Sequence, residues 1–130
     1  MVINKQKRNT IQREKIKQCL ASVKIHPTAE WVYQEVKKEI PQITLATVYR
    51  NLNILAEGGE ILRLEINKEY RFDGDNSSHQ HCVCQKCGKI SDLFQEDISN
   101  YVLKNIRTKN FACNNVTIIF QGFCKECLKK

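Results

Sequence analysis

Two Cys-x-x-Cys pairs constrain this chain more than any other feature of its sequence. The first pair is Cys84 and Cys87, and the second, Cys124 and Cys127, lies close to the last residue. Four thiolates at this spacing are typical of a tetrahedral structural Zn²⁺ site, and an ion shared by both pairs would close a long loop. The sequence therefore predicts a zinc-stabilised lobe. Two unrelated pairs, or a redox Cys-x-x-Cys, are the alternatives.

Three further cysteines lie outside these pairs. Cys19 and Cys113 occur in apolar patterns and are predicted core residues, whereas Cys82 could compete as a zinc ligand. Residues 1–5 lack the apolar region of a secretory signal, and no apolar run is long enough to span a membrane. We therefore expect a cytoplasmic protein whose clustered cysteines bind metal rather than form disulfides.

Histidines and carboxylates predict a second metal site. His79 and His81 are two residues apart, so both would point to the same face of a strand. With Asp73, Asp92 and His26 they would form a nitrogen and oxygen site for Zn, Fe or Mn that bridges two lobes. The alternative is that the histidine pair is exposed and that His26 caps a helix.

The net charge of +7 is concentrated near the N-terminus. Residues 1–25 contain seven lysines and arginines and one acidic residue, Glu14. A basic segment of this kind indicates a polyanionic partner, most simply nucleic acid, although a solvated N-terminus would have the same composition.

Apolar periodicity predicts three helices in the first half of the chain. The first covers residues 11–23 and ends before His26-Pro27, and the second begins after a Thr28 cap and ends at Pro41. Thr44 caps the third, which Gly58-Gly59 ends. The outer face of this third helix carries Thr47, Tyr49, Arg50 and Asn53.

Two strand-like runs, 60–66 and 69–73, follow the helices and are joined by a tight turn at Asn67-Lys68. Three helices and a β-hairpin are typical of a winged helix-turn-helix, in which the third helix enters the major groove. We therefore predict a DNA-binding domain over residues 1–73.

The second half predicts a small α/β lobe over residues 79–130, after a polar hinge at 74–78. A lobe of this size often needs a metal or a partner subunit for stability. Its predicted elements are strands at 79–84, 89–94 and 116–121, a helix marked by Ile98, Val102 and Ile106, and a basic tail at 124–130.

Taken together, these motifs resemble the ferric uptake regulator (Fur) family of bacterial metal-dependent repressors. The resemblance implies an α+β chain with a winged helix-turn-helix DNA-binding domain and a small α/β dimerisation domain that contains structural zinc. It rests on Arg8-x-Thr10-x-Gln12-Arg13, His26-Pro27-Thr28-Ala29, Ala46-Thr47-Val48-Tyr49-Arg50-Asn51-Leu52, Tyr70-Arg71-Phe72-Asp73, His79-x-His81-x-x-Cys84-x-x-Cys87 and Cys124-x-x-Cys127.

Within the family, the chain is most similar to the peroxide-sensing (PerR) branch. The resemblance implies that the five histidine and aspartate positions hold regulatory Fe²⁺ or Mn²⁺, and that peroxide oxidises His26 or His79 in the iron form, so that the repressor leaves DNA. The alternative is an iron- or zinc-responsive (Fur or Zur) repressor. Iron-responsive members usually carry glutamate at the position of Asp92, and Cys82 would be the ligand of a zinc sensor.

The resemblance also implies DNA contacts and a homodimer on a palindromic operator. Tyr49 and Arg50, with Thr47 on the same face, would contact the major groove, and Arg8 the minor groove. A partly buried Tyr49 ring is the alternative for that residue. No enzymatic activity is expected.

Three departures from the family pattern stand out. Only seven residues precede Arg8, Ile11 replaces a usual proline, and no histidine follows His81, so we expect two metals per subunit. Two other functions fit the residues alone: a metallo-hydrolase that activates water at the histidine–carboxylate site, and a zinc-stabilised RNA- or protein-binding module.

Overall fold

The computed structural model describes residues 5–113 and 115–129. Residues 1–4 and 130 lie outside the described part of the chain. They include most of the segment 1–5, in which we expected no secretory signal, the start of the predicted domain 1–73 and the end of the predicted domain 79–130. The chain divides into two compact units, Met1–Asn76 and Ser77–Lys130. The boundary falls inside the segment predicted to be a hinge, whose mobility stays a prediction. Among the described helices, none has the length and apolar character needed to cross a membrane.

The N-terminal unit contains three helices followed by a hairpin. The first helix begins before the predicted start at residue 11 and ends before residue 23. The sequence did not predict its first turns because they are exposed and carry no apolar stripe. The elements are α1 (Lys5–Ala21), α2 (Ala29–Val36), α3 (Leu45–Glu57), β1 (Leu62–Ile66) and β2 (Glu69–Asp73).

Both predicted threonine caps are present. The Thr28 hydroxyl accepts a hydrogen bond from the amide of Trp31, and the Thr44 hydroxyl accepts one from the amide of Thr47, each at 3.2 Å. The prediction that Pro41 ends α2 was wrong. The chain leaves the α-helix earlier, where the amides of Lys38 and Glu39 bond to carbonyls three residues back and tighten the last turn.

The β-hairpin has the tight turn that the sequence predicts. Strands β1 and β2 are antiparallel, with Ile66 opposite Glu69. The turn residues Asn67 and Lys68 have φ angles of 54° and 65°, and two positive values are the signature of a type I′ turn. The first strand starts at Leu62, later than the predicted residue 60.

A continuous apolar core joins the helices to the hairpin. Phe72 is fully buried, and its amide donates to the Pro27 carbonyl at 2.9 Å, so that β2 is fixed against the start of α2. Cys19 packs half-buried against this core, as predicted. The core residues are Ile16, Leu20, Ala29, Val32, Val36, Ile43, Val48, Leu52, Leu55, Ile61 and Phe72.

The C-terminal unit is built on a three-stranded sheet. Strand β3 lies in the middle, antiparallel to β4 and parallel to β5. The expected tail after Cys124 is instead a short helix, closed by a bond from the Leu128 amide to the Cys124 carbonyl. The elements are β3 (Gln80–Cys84), β4 (Ile90–Leu93), α4 (Glu96–Asn105), β5 (Ile119–Gly122) and α5 (Lys125–Leu128).

A polar contact holds α4 on this sheet. The buried Gln80 side chain donates to the Ser99 hydroxyl at 2.7 Å and accepts from the Gln95 amide at 3.1 Å. Cys113, predicted to lie in a core, is half-buried, and its thiol donates to the Asn115 carbonyl. Apolar side chains contribute little to the interior of this unit.

Candidate metal centres and DNA-binding surface

Four cysteines of the C-terminal unit converge. Cys84 ends β3, Cys87 lies in the turn that follows, and Cys124 and Cys127 lie at the start of and within α5. Their sulfur atoms all lie within 4.8 Å of one another, and those of Cys87 and Cys124 are 3.7 Å apart. Four sulfurs grouped in this way are the donor set of a tetrahedral structural zinc ion.

Backbone amides prepare this site for a cation. The Cys87 amide donates to the Cys84 sulfur, and it and the Cys124 amide are the main reasons why the pKa of Cys84 is lowered to about 5. The Cys127 amide likewise lowers the pKa of Cys124. Gly88 completes the turn with φ +79°, a conformation that favours glycine.

Cys127 differs from Cys84 and Cys124 in the direction of its pKa shift. Burial, followed by the neighbouring sulfurs, raises the pKa of Cys127 to about 12. Several negative sulfurs cannot share so small a volume unless a positive charge compensates them. The donor set therefore fits Zn²⁺, which binds thiolates and would contribute directly to the stability of this unit.

A second group of donors in the same unit contains both predicted histidines. Asp92 on β4 lies opposite His81 on β3, and His79 directly precedes β3. The Nε2 atoms of His79 and His81 are 3.1 Å apart, and each is 3.4 Å from Oδ1 of Asp92. Two nitrogens and one oxygen thus face a common point.

The orientation of His79 suits a metal ligand. Its Nδ1 lies 2.6 Å from the Ser77 carbonyl, an acceptor, so a neutral imidazole would carry its proton on this nitrogen and keep the Nε2 lone pair for a metal. The Phe94 ring stacks on the imidazole at 4.8 Å between centroids. His79 and His81 are both buried, so the predicted alternative of an exposed histidine pair is wrong.

The N-terminal unit holds the other two predicted ligands side by side. His26 Nε2 lies 3.3 Å from Oδ2 of Asp73, and both side chains are buried. Asp73 Oδ1 accepts from the Asp75 amide, and Arg71 donates to the His26 carbonyl. The contact of β2 with the start of α2 is what brings these two residues together.

The predicted DNA-contacting residues are on the surface of the N-terminal unit. Tyr49 is 38% exposed, so its ring is not part of the core. Arg50 is exposed and its guanidinium lies 3.4 Å from the Thr47 hydroxyl. Arg8 lies exposed on α1. This surface is basic and polar, as a contact with nucleic acid requires.

Sequence reasoning missed the residue that orients His79. Ser77 acts through its backbone carbonyl, and a carbonyl is present in every residue, so the side-chain sequence carries no signal for it. It also missed Gln80, whose side chain joins the strand of the histidines to α4. A single glutamine between two histidines belongs to no apolar pattern, so the sequence did not indicate that its side chain is buried.

Comparison with known proteins identifies the family. The chain matches the ferric uptake regulator family over residues 4–121. It is 33% identical over 121 residues to the peroxide-responsive repressor PerR of Staphylococcus epidermidis, covering 92% of this chain and 81% of that protein. The chain belongs to the ferric uptake regulator family. The peroxide operon regulator of Bacillus subtilis is 32% identical over 124 residues, covering 95% and 86%.

A solved structure supports the same assignment to the Fur family. The Campylobacter jejuni peroxide stress regulator is 34% identical, with a TM-score of 0.76 and coverage of 92% of this chain and 91% of that one. Fur-family proteins are metal-dependent DNA-binding repressors that form dimers, not enzymes, so the metallo-hydrolase alternative is wrong. The predicted α+β class with a winged helix-turn-helix and a sulfur-ligated zinc site is confirmed. The histidine–carboxylate residues suit a regulatory metal.

Proposed function

We propose that this chain represses transcription and is inactivated by hydrogen peroxide. A regulatory Fe²⁺ or Mn²⁺ ion would keep it on operator DNA, and oxidation of a ligand histidine in the iron form would release it. The main support is the group formed by His79, His81 and Asp92, whose donor atoms already face one point. The similar proteins named as peroxide-responsive repressors favour this function over iron or zinc sensing alone.

The proposed regulatory ligands come from both units. His26 and Asp73 supply a nitrogen and an oxygen, and the histidine pair with Asp92 supplies two nitrogens and an oxygen. Neither group alone provides the five or six donors that Fe²⁺ and Mn²⁺ take from nitrogen and oxygen ligands. An ion held by both groups would make DNA binding depend on metal. Zn²⁺ at the four cysteines would be structural and not regulatory.

The surroundings of the histidines suit an oxidation at the ligand itself. Fe²⁺ held by these residues would supply the redox chemistry that lets peroxide oxidise a ligand, and the two electrons that peroxide takes up would come from the imidazole. The Ser77 carbonyl holds the His79 proton on Nδ1, so that Nε2 stays directed at the ion, and burial keeps the imidazole of His26 from solvent. One peroxide oxygen would end on the imidazole of His26 or His79 and the other would leave as water. The modified ring would then be a poorer ligand.

The proposed DNA complex is a cytoplasmic homodimer on a palindromic operator. Its two α3 helices would enter successive major grooves, with Thr47, Tyr49 and Arg50 at the base edges and Arg8 in the minor groove. A guanidinium can pair with guanine, and a tyrosine ring can pack on a thymine methyl group.

The test combines a gel shift with mass spectrometry. Protein loaded with Mn²⁺ should bind a duplex selected from a random library, and the form stripped of regulatory metal should not. Protein loaded with Fe²⁺ and treated with peroxide should release DNA and gain a single oxygen on the peptide of His26 or His79. The Mn²⁺ form is the matched control and should gain none.

Three results would argue against the proposal. DNA affinity that is indifferent to Mn²⁺ would remove metal dependence. Oxidation confined to cysteines would indicate a thiol switch. An iron form that stays on DNA after peroxide would favour the iron- or zinc-responsive alternative.

A further inference from the structure

The recognition helix α3 carries two asparagines that each hold an arginine from another element. Asn51 Oδ1 accepts a hydrogen bond from Nε of Arg13 on α1 at 3.3 Å. Asn53 Oδ1 accepts one from Nη1 of Arg63 on β1 at 2.8 Å. Both contacts join the helix that reads DNA to its neighbours in the N-terminal unit.

The Asn51 contact is fixed from both ends of the amide. Asn51 is only 3% exposed, and its Nδ2 donates to the Thr47 carbonyl at 3.0 Å, so its Oδ1 must face Arg13. Arg13 is half-buried, and within the described part of the chain its Nη1 and Nη2 make no hydrogen bond or ion pair. A guanidinium held at Nε therefore leaves its two outer nitrogens available to a further acceptor.

Two side chains hold the Arg63 guanidinium in place, one by a hydrogen bond and one by stacking. Asn53 binds Nη1, and the Tyr70 ring lies 4.8 Å from the guanidinium carbon. Arg63 forms no ion pair with a carboxylate among the described residues. A planar, pre-positioned guanidinium without a counter-ion is well suited to a phosphate, because little side-chain entropy is lost when it binds.

The two arginines reach α3 from different elements, Arg13 from α1 and Arg63 from β1. A helix turns by about 100° per residue, so Asn53 lies about 60° from Arg50, within the outer face and between Arg50 and Tyr49, whereas Asn51 lies about 100° from Arg50 in the opposite direction. A helix in the major groove has a phosphate backbone along each side, and contacts to these phosphates set its position and register.

We propose that Arg13 and Arg63 bind phosphates of the DNA backbone beside the major groove and thereby dock α3 in it. Asn51 and Asn53 are positioning residues that aim the two guanidinium groups. This inference rests on the proposed DNA binding and adds the residues that orient it. The competing explanation is that both pairs only stabilise the N-terminal unit.

The test measures how salt weakens DNA binding. Full-length protein loaded with Mn²⁺ is titrated onto the selected duplex at several KCl concentrations, as wild type, Arg13→Gln and Arg63→Gln. Each lost phosphate contact should make the slope of log affinity against log salt less steep by about 0.9 per subunit. Arg107→Gln, at an exposed arginine of the C-terminal unit, is the matched control and should keep the wild-type slope.

A second pair of variants separates positioning from charge. Arg63→Lys keeps a cation and should keep the slope, but should bind about 3-fold to 10-fold more weakly, because it loses the contacts that aim it. Asn53→Ala should weaken binding to a similar extent, and should weaken it no further in the Arg63→Gln background, whereas a base contact made by Asn53 itself would still be lost there. A purely structural role would change the melting temperature and leave the salt slope unaltered.

The possible failures can be told apart. Wild-type slopes for Arg13→Gln and Arg63→Gln would overturn this inference while leaving the proposed function intact. No DNA binding by the wild-type protein would overturn both. If Arg13→Gln unfolds, because the buried Asn51 loses its partner, the exposed Arg63 decides the outcome with the same measurement.

Discussion

The N-terminal unit encloses an apolar core, whereas the C-terminal unit has few apolar residues in its interior. Of the buried apolar side chains described, only Val83 and Cys84 belong to the second unit, and Cys84 is a proposed zinc ligand. The second unit instead buries polar groups, among them His79, His81 and Gln80. The first unit can draw its stability from packing, but the second must draw it from another source.

The exposed side chains of the second unit indicate where that source lies. Apolar side chains as large as phenylalanine are rarely left in water in such number unless a surface is to be covered. Zinc at one end and a second subunit over these residues would together supply what the interior lacks. The exposed set comprises Phe94, Tyr101, Val102, Ile106, Phe111, Phe120, Phe123 and Leu128.

Loss of zinc is the strongest way to test this contrast. Cys124→Ser combined with Cys127→Ser should unfold the C-terminal unit, because structural zinc supplies on the order of 10 kcal/mol in small zinc domains. Hydrogen exchange followed by mass spectrometry should show lost protection in β3, β4 and β5 and retained protection in α1 to α3.

Cys113→Ser is the matched control, since Cys113 lies outside the four-sulfur site, and it should keep full protection. Protected β3 amides in the zinc-free double variant would show that packing alone stabilises the second unit.

Truncating one phenylalanine in each unit should lower the folding stability in the first unit and weaken dimerisation in the second. Phe72→Ala empties a fully buried position and should lower the free energy of unfolding by about 3–5 kcal/mol in urea titrations. Phe120→Ala truncates a ring that is 42% exposed in the single chain, so its main effect should be on dimerisation, seen by sedimentation at decreasing concentration. If both variants lost the same free energy of unfolding at every protein concentration, the proposed difference between the two units would be wrong.

Adding a methyl group should be costly in one unit and nearly neutral in the other. A Cβ on Gly74 would lie 2.9 Å from the backbone carbon and oxygen of Leu20, so Gly74→Ala should destabilise by about 1–3 kcal/mol. Gly122→Ala meets nothing within 4 Å and should stay within about 0.5 kcal/mol of wild type. Thermal melts compare the two, and equal melting temperatures would contradict this view of the packing.

The smallest expected effect concerns the thiol of the first unit. Burial, aided by the carboxylates of Glu35 and Glu39, raises the pKa of Cys19 above its ordinary value of 9.0. The folded state therefore keeps the proton at pH values where the unfolded chain begins to lose it, and this contribution to stability falls as pH rises through the folded pKa. Alkylation by iodoacetamide at pH 8.5 should be slower at Cys19 in folded than in urea-unfolded protein. Equal rates would contradict the shift.

The sequence was informative wherever a local pattern determines a local structure. Thr28 and Thr44 were identified as caps because a hydroxyl before an apolar periodic run has few other uses, and Asn67-Lys68 as a turn because a tight hairpin needs positive φ values. Donor atoms were identified by residue type and spacing, and the structure brings the four cysteines within contact of one another.

What the sequence left open depends on contacts between distant residues. No periodicity in the sequence marks the early end of α2 or the short helix after Cys124. The Arg13–Asn51 contact joins residues on separate helices, and neither residue type predicts the other as a partner. Residue type alone grouped His26 with the later histidines and carboxylates, and its place in that metal site stays a prediction.

Strand β3 separates two kinds of chemistry by its pleat. Neighbouring side chains on a strand point to opposite faces, so His81 and Cys84 emerge on opposite sides of the sheet, about 10 Å apart along the strand. The backbone of the sheet would lie between an oxidant generated beside the imidazoles and the sulfur of Cys84. If the proposed oxidation takes place, the sheet would shield the four cysteines from it, so a spent repressor could keep its zinc.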